Sequence, residues 1–357
     1  MHCKINQSRT LRGAACAVAV ASMIWGSSQA SVDFGKEGEP VNLVIGYQPY
    51  YTESWSGVVN NGKEFWKKYL PEGSTAEFQI GLQGSVIVNA MTGEKQHIGY
   101  MGDMPAIAST FRNLPQRGGT DMRIVAVLGT SKQQCNIFLV RNDAPEFANG
   151  TEAVKWMDGK MTSAPHGACT DRFARLAFEK AGIKPRRYLN QNIEVITTNF
   201  RAGKLDAAAI WEPTATKIAK AGLARRAASG EDFDALDGGF MVMLNDLISQ
   251  RPDVHRGWLE AELDAQLFMA DPANADEVAQ MAGQQTEKID REVLHHSLYG
   301  AWPASQGGGD VKVQLDFIVT ERVQSLLDAA TAFLYSLPRK PAAEPNIREG
   351  GVDDSVA

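Results

Sequence analysis

From residue 41 onward the chain alternates short runs of β-type apolar residues with longer segments of helical spacing, and this constrains its fold more than any other feature. Strands that alternate with helices bury their sheets between helical layers, which gives α/β architecture with largely parallel sheets. Residues 41–47 (VNLVIGY), 77–80, 97–100 and 123–128 (RIVAVL) predict strands, with helices at 58–69, 85–91 and 104–111. A second set follows, with strands at 136–140 (NIFLV), 160–163, 194–197 and 207–211 (AAAIW), helices at 152–157 and 171–181, and a helical turn at 198–202. In the helix at 171–181, Phe173, Leu176, Ala177 and Lys180 mark one half-buried face and Gly182 ends it. Residues 240–244 predict a strand returning to the first set, and 253–337 read as helical.

The first thirty residues follow a different rule. Lys4, Arg9 and Arg12 precede an uncharged apolar run at 13–25, and Ser28-Gln29-Ala30 supplies the small residues that a signal peptidase accepts. The run is too short to span a bilayer, which takes about 20 residues. Residues 1–30 are therefore expected to be a cleaved export signal, which makes the mature protein an exported one. Cys16 has no Leu three residues upstream, which argues against a lipid anchor. Loss of three basic residues moves the net charge from −6 to about −9. No basic surface remains for phosphate neutralisation, so no nucleic-acid partner is expected. Cys135 and Cys169 would be the remaining thiols in an oxidising compartment, either as one disulfide or as two buried free thiols.

Motifs for chemistry are sparse. No pair among the six histidines has helix spacing with a third ligand nearby, and neither a nucleophile elbow nor a phosphate-cradling Gly-rich loop is present. No metal and no cofactor is expected. Only His166 and Cys169 stand close enough in sequence to suggest a thiol with a base. Helix starts are more informative: Gln83-Gly84-Ser85 and Gly167-Ala168-Cys169-Thr170 each follow a strand, where free N–H groups can hold an anionic group. Ser85 and Thr170 could equally be ordinary caps.

The two sets of elements echo each other. Gly93-Glu94-Lys95-Gln96-His97-Ile98-Gly99 leads to Gly102-Asp103-Met104-Pro105, and Gly203-Lys204-Leu205-Asp206-Ala207-Ala208-Ala209 leads to Trp211-Glu212-Pro213. Ligands in such folds sit beyond the carboxyl ends of the strands. Asp103 and Glu212 thus either face one cleft or cap the helices that follow them. The loop after the first strand adds Gln48 and three aromatic residues, Tyr50, Tyr51 and Trp55, that need a cover of ligand or protein.

These residues resemble the nitrate/sulfonate/taurine family of periplasmic substrate-binding proteins that feed ABC importers. The resemblance rests on the first strand with its aromatic loop, Gly84-Ser85, Ala90-Met91-x-Gly93-Glu94 before His97-Ile98-Gly99, Gly102-x-Met104-Pro105, and Gly203-x-x-Asp206-Ala207-Ala208 with Trp211-Glu212-Pro213. It implies a type II periplasmic-binding fold: lobe 1 at 41–134, lobe 2 at 135–236, a return segment with C-terminal helices at 237–337, and a mobile tail at 338–357. It also implies ligand contacts at Gln48, Tyr50, Tyr51, Trp55, Gly84, Ser85, Asp103, His166, Cys169, Thr170, Trp211 and Glu212, a small-molecule solute, a permease partner in the inner membrane, and a monomer without catalysis.

Sulfonate binders usually carry a small hydroxyl residue where Asp103 stands, and a carboxylate there repels an anion. The expected ligand is consequently a small polar, nitrogen-containing or zwitterionic solute in the taurine/sulfonate-like range. Its nitrogen would point to Glu212 inside an aromatic box. The alternative is a secreted thiol-dependent enzyme, or a protein like the thiamine-pyrimidine synthase of the same branch, using Cys169 and His166. Gly167-Ala168-Cys169-Thr170 does not match that enzyme's cysteine-rich motif.

Overall fold

The computed structural model describes residues 32–337 except 113–119, 288 and 312, together with 352, 353 and 355. The expected export signal lies outside the described residues, as does most of the expected tail. Val352 and Asp353 do lie within them: Val352 bridges to Ile124, and the Asp353 N–H donates to the Ile124 carbonyl.

The first sheet is built from β1 (Asn42–Tyr47), β2 (Thr75–Ile80), β3 (Ile98–Gly102) and β4 (Met122–Ser131). Helices α1 (Trp55–Lys63), α2 (Gly84–Thr92) and α3 (Asp103–Arg112) stand between these strands. The second sheet follows with β5 (Ile137–Val140), α4 (Gly150–Trp156), β6 (Met161–Ala164), α5 (Cys169–Ala181) and β7 (Arg187–Asn190). It continues through α6 (Ile193–Arg201), β8 (Ala207–Ile210), α7 (Thr214–Lys220) and β9 (Arg225–Ser229). The chain then returns to the first sheet as β10 (Asp237–Leu244). Helices α8 (Asn245–Gln250), α9 (Pro252–Ala270), α10 (Ala275–Gln285) and α11 (Arg291–Tyr299), the hairpin β11 (Ala301–Trp302) and β12 (Gly309–Asp310), and α12 (Glu321–Ser336) complete it.

The two sheets repeat one topology. Their orders are β2-β1-β3-β10-β4 and β7-β6-β8-β5-β9. In each, three parallel strands lie beside one antiparallel strand that enters from the other half of the chain. Residues 132–136 and 230–236 therefore run between the sheets as two adjacent crossings, and Asp237 pairs with Ser131 where the first sheet resumes. The first sheet and the C-terminal helices share one continuous core. The second sheet buries a separate cluster on each face, including Phe138 and Phe173 with ring centroids 5.0 Å apart.

Two stretches differ from their sequence expectation: 253–337, read as helical throughout, also contains the hairpin β11–β12, and 194–197, read as a strand, is helical. The β-branched run at 194–197 belongs to helix α6, because Ile193, Ile196 and Phe200 fall on one buried helical face and Asn192 caps the start by accepting from the Val195 N–H. Strands β7 and β9 were not anticipated: both are four or five residues long and carry arginines, so no apolar run announces them. Among the described residues no helix is long and apolar enough to cross a membrane.

Candidate functional site

A cavity of about 250 Å³ opens where the carboxyl ends of parallel strands from both sheets face each other. The first lobe contributes Gln48 and Tyr51 after β1, Gln83 to Ser85 after β2, and Gly102 and Met104 after β3. The second contributes the turn from Pro165 to Cys169 after β6, and Trp211 after β8. Leu334 and Leu337, at the end of α12, close the far side.

Local sequence explains the rigidity of these walls. Ser54 Oγ donates to the carbonyls of Gln48 and Tyr51, both at 2.9 Å, and Trp55 Nε1 donates to the Pro49 carbonyl at 2.9 Å, folding the first loop onto itself. A Cβ at Gly84 would collide with Pro105, so glycine is what lets α2 start against α3. Gly167, at φ +79°, turns the chain from β6 into α5, and its N–H donates to Asp171 Oδ2 at 3.0 Å. Cys135 and Cys169 form a disulfide with Cα atoms 6.0 Å apart, fastening the start of α5 to the first crossing segment.

Seven of the expected contact residues lie on the cavity wall: Gln48, Tyr51, Gly84, Ser85, His166, Cys169 and Trp211. The other five do not. Trp55 is fully buried in the core of the first lobe, where an indole gains more from packing than from a ligand. Tyr50 turns its hydroxyl to accept the Glu287 N–H at 2.9 Å. Thr170 is buried and donates to the Pro165 carbonyl at 3.4 Å. Asp103 and Glu212 are both fully buried and each is occupied by an arginine: Asp103 by Arg172 at 2.5 Å, Glu212 by Arg226 at 2.9 Å.

The carboxylate box expected for a cation is thus absent from the wall. Glu212 instead accepts the Thr216 N–H at 2.9 Å and Asp103 accepts the Met104 N–H at 2.6 Å, so both serve helix starts. Burial pushes the Glu212 carboxyl up, opposed by Arg226, and it pulls Arg226 down to about 10. Trp211 spans the back of the cleft, its Nε1 donating to the Tyr50 carbonyl at 3.0 Å and its ring standing edge-on to Tyr51 at 6.4 Å.

What remains on the wall is polar but almost uncharged. Among the described residues no Asp, Glu, Lys or Arg lines the cavity. His166 is its titratable imidazole, and burial, the larger cause, holds it below the ordinary histidine value, so it is neutral at pH 7. Its ring stacks on Tyr188 at 4.6 Å, and its buried Nε2 has no partner among the described residues. Neither α2 nor α5 has a side-chain cap, which leaves first-turn N–H groups for a ligand. Ser85 and Thr170 are therefore not the caps of these helices. Asn89, Leu334 and Leu337 were missed; Asn89 was visible one turn beyond Ser85, whereas contacts from the end of α12 have no local signal.

The disulfide also removes the nucleophile of the thiol-enzyme alternative, since Cys169 offers no thiolate while bonded to Cys135. Among the described residues Cys135, Cys169 and Asp237 are the grouping of ligand-type atoms dense enough for a metal, and both sulfurs are consumed by the same bond.

Comparison with known proteins agrees with this architecture. Residues 36–283 match the model of the NMT1-like family, and the chain belongs to that family. A protein of Brucella abortus (strain 2308), provisionally named a binding protein, is 22% identical over 229 residues, which are 63% of this chain and 66% of that protein. Among solved structures, the alkanesulfonate-binding protein SsuA from Xanthomonas axonopodis pv. citri, bound to MOPS, superposes with a TM-score of 0.67 at 19% identity, covering 88% of this chain and 99% of its own. The periplasmic nitrate-binding protein NrtA from Synechocystis PCC 6803 gives 0.68 at 16% identity, covering 84% and 83%. The desulfurization enzyme DSZB shares the fold at 0.58 and 14% identity, covering 84% and 94%. The fold is that of periplasmic binding proteins.

Proposed function

We propose that this member of the NMT1-like family is the solute-binding component of an ABC importer, acting in the periplasm. It would capture a small amphipathic solute with a singly charged anionic head and pass it to a membrane permease. The observation that supports this most is the cavity between the two sheets, whose wall carries two uncapped helix starts and, among the described residues, no Asp, Glu, Lys or Arg. Each helix N-terminus is worth about half a positive charge, so two of them match one negative charge and leave a dianion undercompensated. A free ammonium group would meet no carboxylate there, which revises the expectation of a zwitterion with its nitrogen at Glu212.

Tyr51, Met104, Pro105 and Trp211 offer surface to an apolar body. The volume equals about eight waters at liquid density, which suits a solute of amino-acid size. The alkanesulfonates named for the SsuA structure are of this kind, and the nitrate named for NrtA shares the single negative charge. Closure of the two lobes about their crossings would link capture to presentation.

A thermal-shift and calorimetric panel of 1-alkanesulfonates, alkanecarboxylates, taurine and alkylammonium salts tests the reading. An anionic compound at about 100 times its dissociation constant should stabilise by roughly 2.7 kcal/mol. Trp211→Ala should weaken it at least tenfold. An alkylammonium salt binding more tightly than the sulfonate of the same length would overturn the proposal.

A further inference from the structure

Beside the cavity the lobes meet over a second group of side chains. Glu53 on the turn after β1, Asp103 at the start of α3 and Asp237 at the start of β10 are all fully buried, with Tyr51 among them and Arg172 reaching in from α5. Arg172 pairs with Asp103 at 2.5 Å, and the same nitrogen donates to the Leu236 carbonyl at 2.8 Å. The Tyr51 hydroxyl donates to Glu53 Oε2, and the Cys135 N–H donates to Asp237 Oδ2.

The remaining oxygens, Glu53 Oε1 and Asp237 Oδ1, have no donor among the described residues, and the charge of Asp237 bears directly on Glu53. Two carboxylates cannot bond to each other without a proton between them. Full ionisation would also bury three carboxylates against a single guanidinium, which a dry site does not tolerate. The location matters as much as the charge. Cys135 and Leu236 belong to the two crossing segments, Asp103 to the first lobe and Arg172 to the second. Parting the lobes would break the Asp103–Arg172 pair and admit water to all three carboxyls.

We propose that these side chains form a proton-linked latch: Glu53 and Asp237 hold a proton while Arg172 closes on Asp103, so closure takes a proton from bulk water and opening returns it. This rests on the reading above that the lobes part. Burial, the largest cause, holds the Glu53 carboxyl well above the carboxylate range and pushes Asp237 up to about 8, where the charge of Asp103 adds and that of Arg172 subtracts. Tyr51, raised by the same burial and by the carboxyls around it, stays a phenol and keeps donating. Hydration in the open form removes the leading cause, so the carboxyls fall back toward about 4. A group whose value is higher in the closed form favours closure at low pH. For one proton the closing constant drops up to about tenfold per pH unit between those values and levels off above about 8.

Nitroxide labels on Leu82→Cys and Val195→Cys report the opening. Both positions are exposed, one adjoining the cavity wall and the other in the first turn of α6. Pulsed dipolar spectroscopy of the full chain without added solute should show the long-distance population growing from pH 6 to pH 9. Asp237→Asn and Glu53→Gln should flatten that dependence, and Arg172→Met should open the protein at every pH. Unchanged parental distances over this range, or a full pH response retained in both carboxamide variants, overturns the latch. Should the variants not fold, titration of the parent with 1-propanesulfonate in buffers of different ionisation enthalpy gives the proton count at pH 7: about one supports the latch and zero overturns it. Distances that respond to pH but to no compound on the panel would keep the latch and defeat the solute-receptor reading; the reverse would keep the receptor and defeat the latch.

Discussion

The Cys135–Cys169 disulfide closes a loop of 34 residues that contains β5, α4 and β6. In the chain-entropy treatment a loop of that length constrains the unfolded state by about 3.8 kcal/mol at 25 °C. The double variant Cys135→Ala/Cys169→Ala should lose roughly this amount, and how the loss appears depends on cooperativity. If residues 32–337 unfold together, an unfolding entropy of about 2.1 cal/mol/K per residue over ~300 residues turns 3.8 kcal/mol into a fall of about 6 °C in Tm. If the second lobe, about 100 residues, melts by itself, the same loss becomes about 18 °C in a separate calorimetric peak. Differential scanning calorimetry of parent and variant distinguishes the two. Reduction of the parent is a poorer perturbation, because both sulfurs are buried. A variant melting within about 1 °C of the parent, or two thiols titrating in denatured but unreduced parent, would refute the reasoning.

Glu262 on α9 is fully buried, accepts from Gln266 Nε2 at 2.8 Å, and is pushed up to about 7 by burial. Its folded value lies above its unfolded value, so its contribution is complete below about pH 4.5 and is lost as pH rises to 7. Urea titrations at pH 5 and 8 should show Glu262→Gln gaining on the parent by on the order of 3 kcal/mol at the higher pH, and an equal difference at both pH values would rule this out. Arg226→Met should cost about 3–5 kcal/mol by leaving Glu212 charged and unpaired in the interior, with much of it restored by adding Glu212→Gln. A single variant as stable as the parent would mean that water reaches the pair.

The fold could be read in the sequence because both signals are local. Apolar runs such as 41–47 and 207–211 mark buried strands, and the Gly stop, buried strand and acidic-Pro sequence recurs once per lobe. The run at 194–197 misled because β-branched residues fit either structure. Its apolar spacing at 193, 196 and 200 decides for the helix once Asn192 is recognised as the cap. The loops that form the cavity could be read for the same reason, since they follow those strands. Charge within the site could not. Whether Asp103 or Glu212 faces solvent, ligand or an arginine depends on Arg172 and Arg226, which lie 69 and 14 residues further along the chain and carry no sign of their partners. The carboxylates stand at strand ends, and of the two readings open for them, cleft or helix cap, the second holds: both accept an N–H at a helix start and pair with an arginine.

That redistribution of charge makes His166 the side chain through which the cavity can acquire a formal charge near neutrality. Burial, opposed by Asp171 and reinforced by Arg175, holds the imidazole below 6.5, so a monoanion at pH 7 meets helix starts, amides and a neutral ring. Below that value the ring gains a proton, and a neutral hydrogen bond to the anion becomes charge-assisted. The difference is about 1 kcal/mol, roughly fivefold in affinity. Affinity for 1-propanesulfonate should accordingly rise as pH falls, through the latch between about 8 and about 4 and, below 6.5, through His166 as well. The two contributions separate by substitution: Asp237→Asn should flatten the latch's share and leave the gain that His166 supplies at low pH, and adding His166→Gln should remove that gain too. Calorimetric titrations from pH 5 to 9 measure both, and a low-pH gain that is the same in Asp237→Asn with and without His166→Gln would show that the imidazole does not face the bound anion.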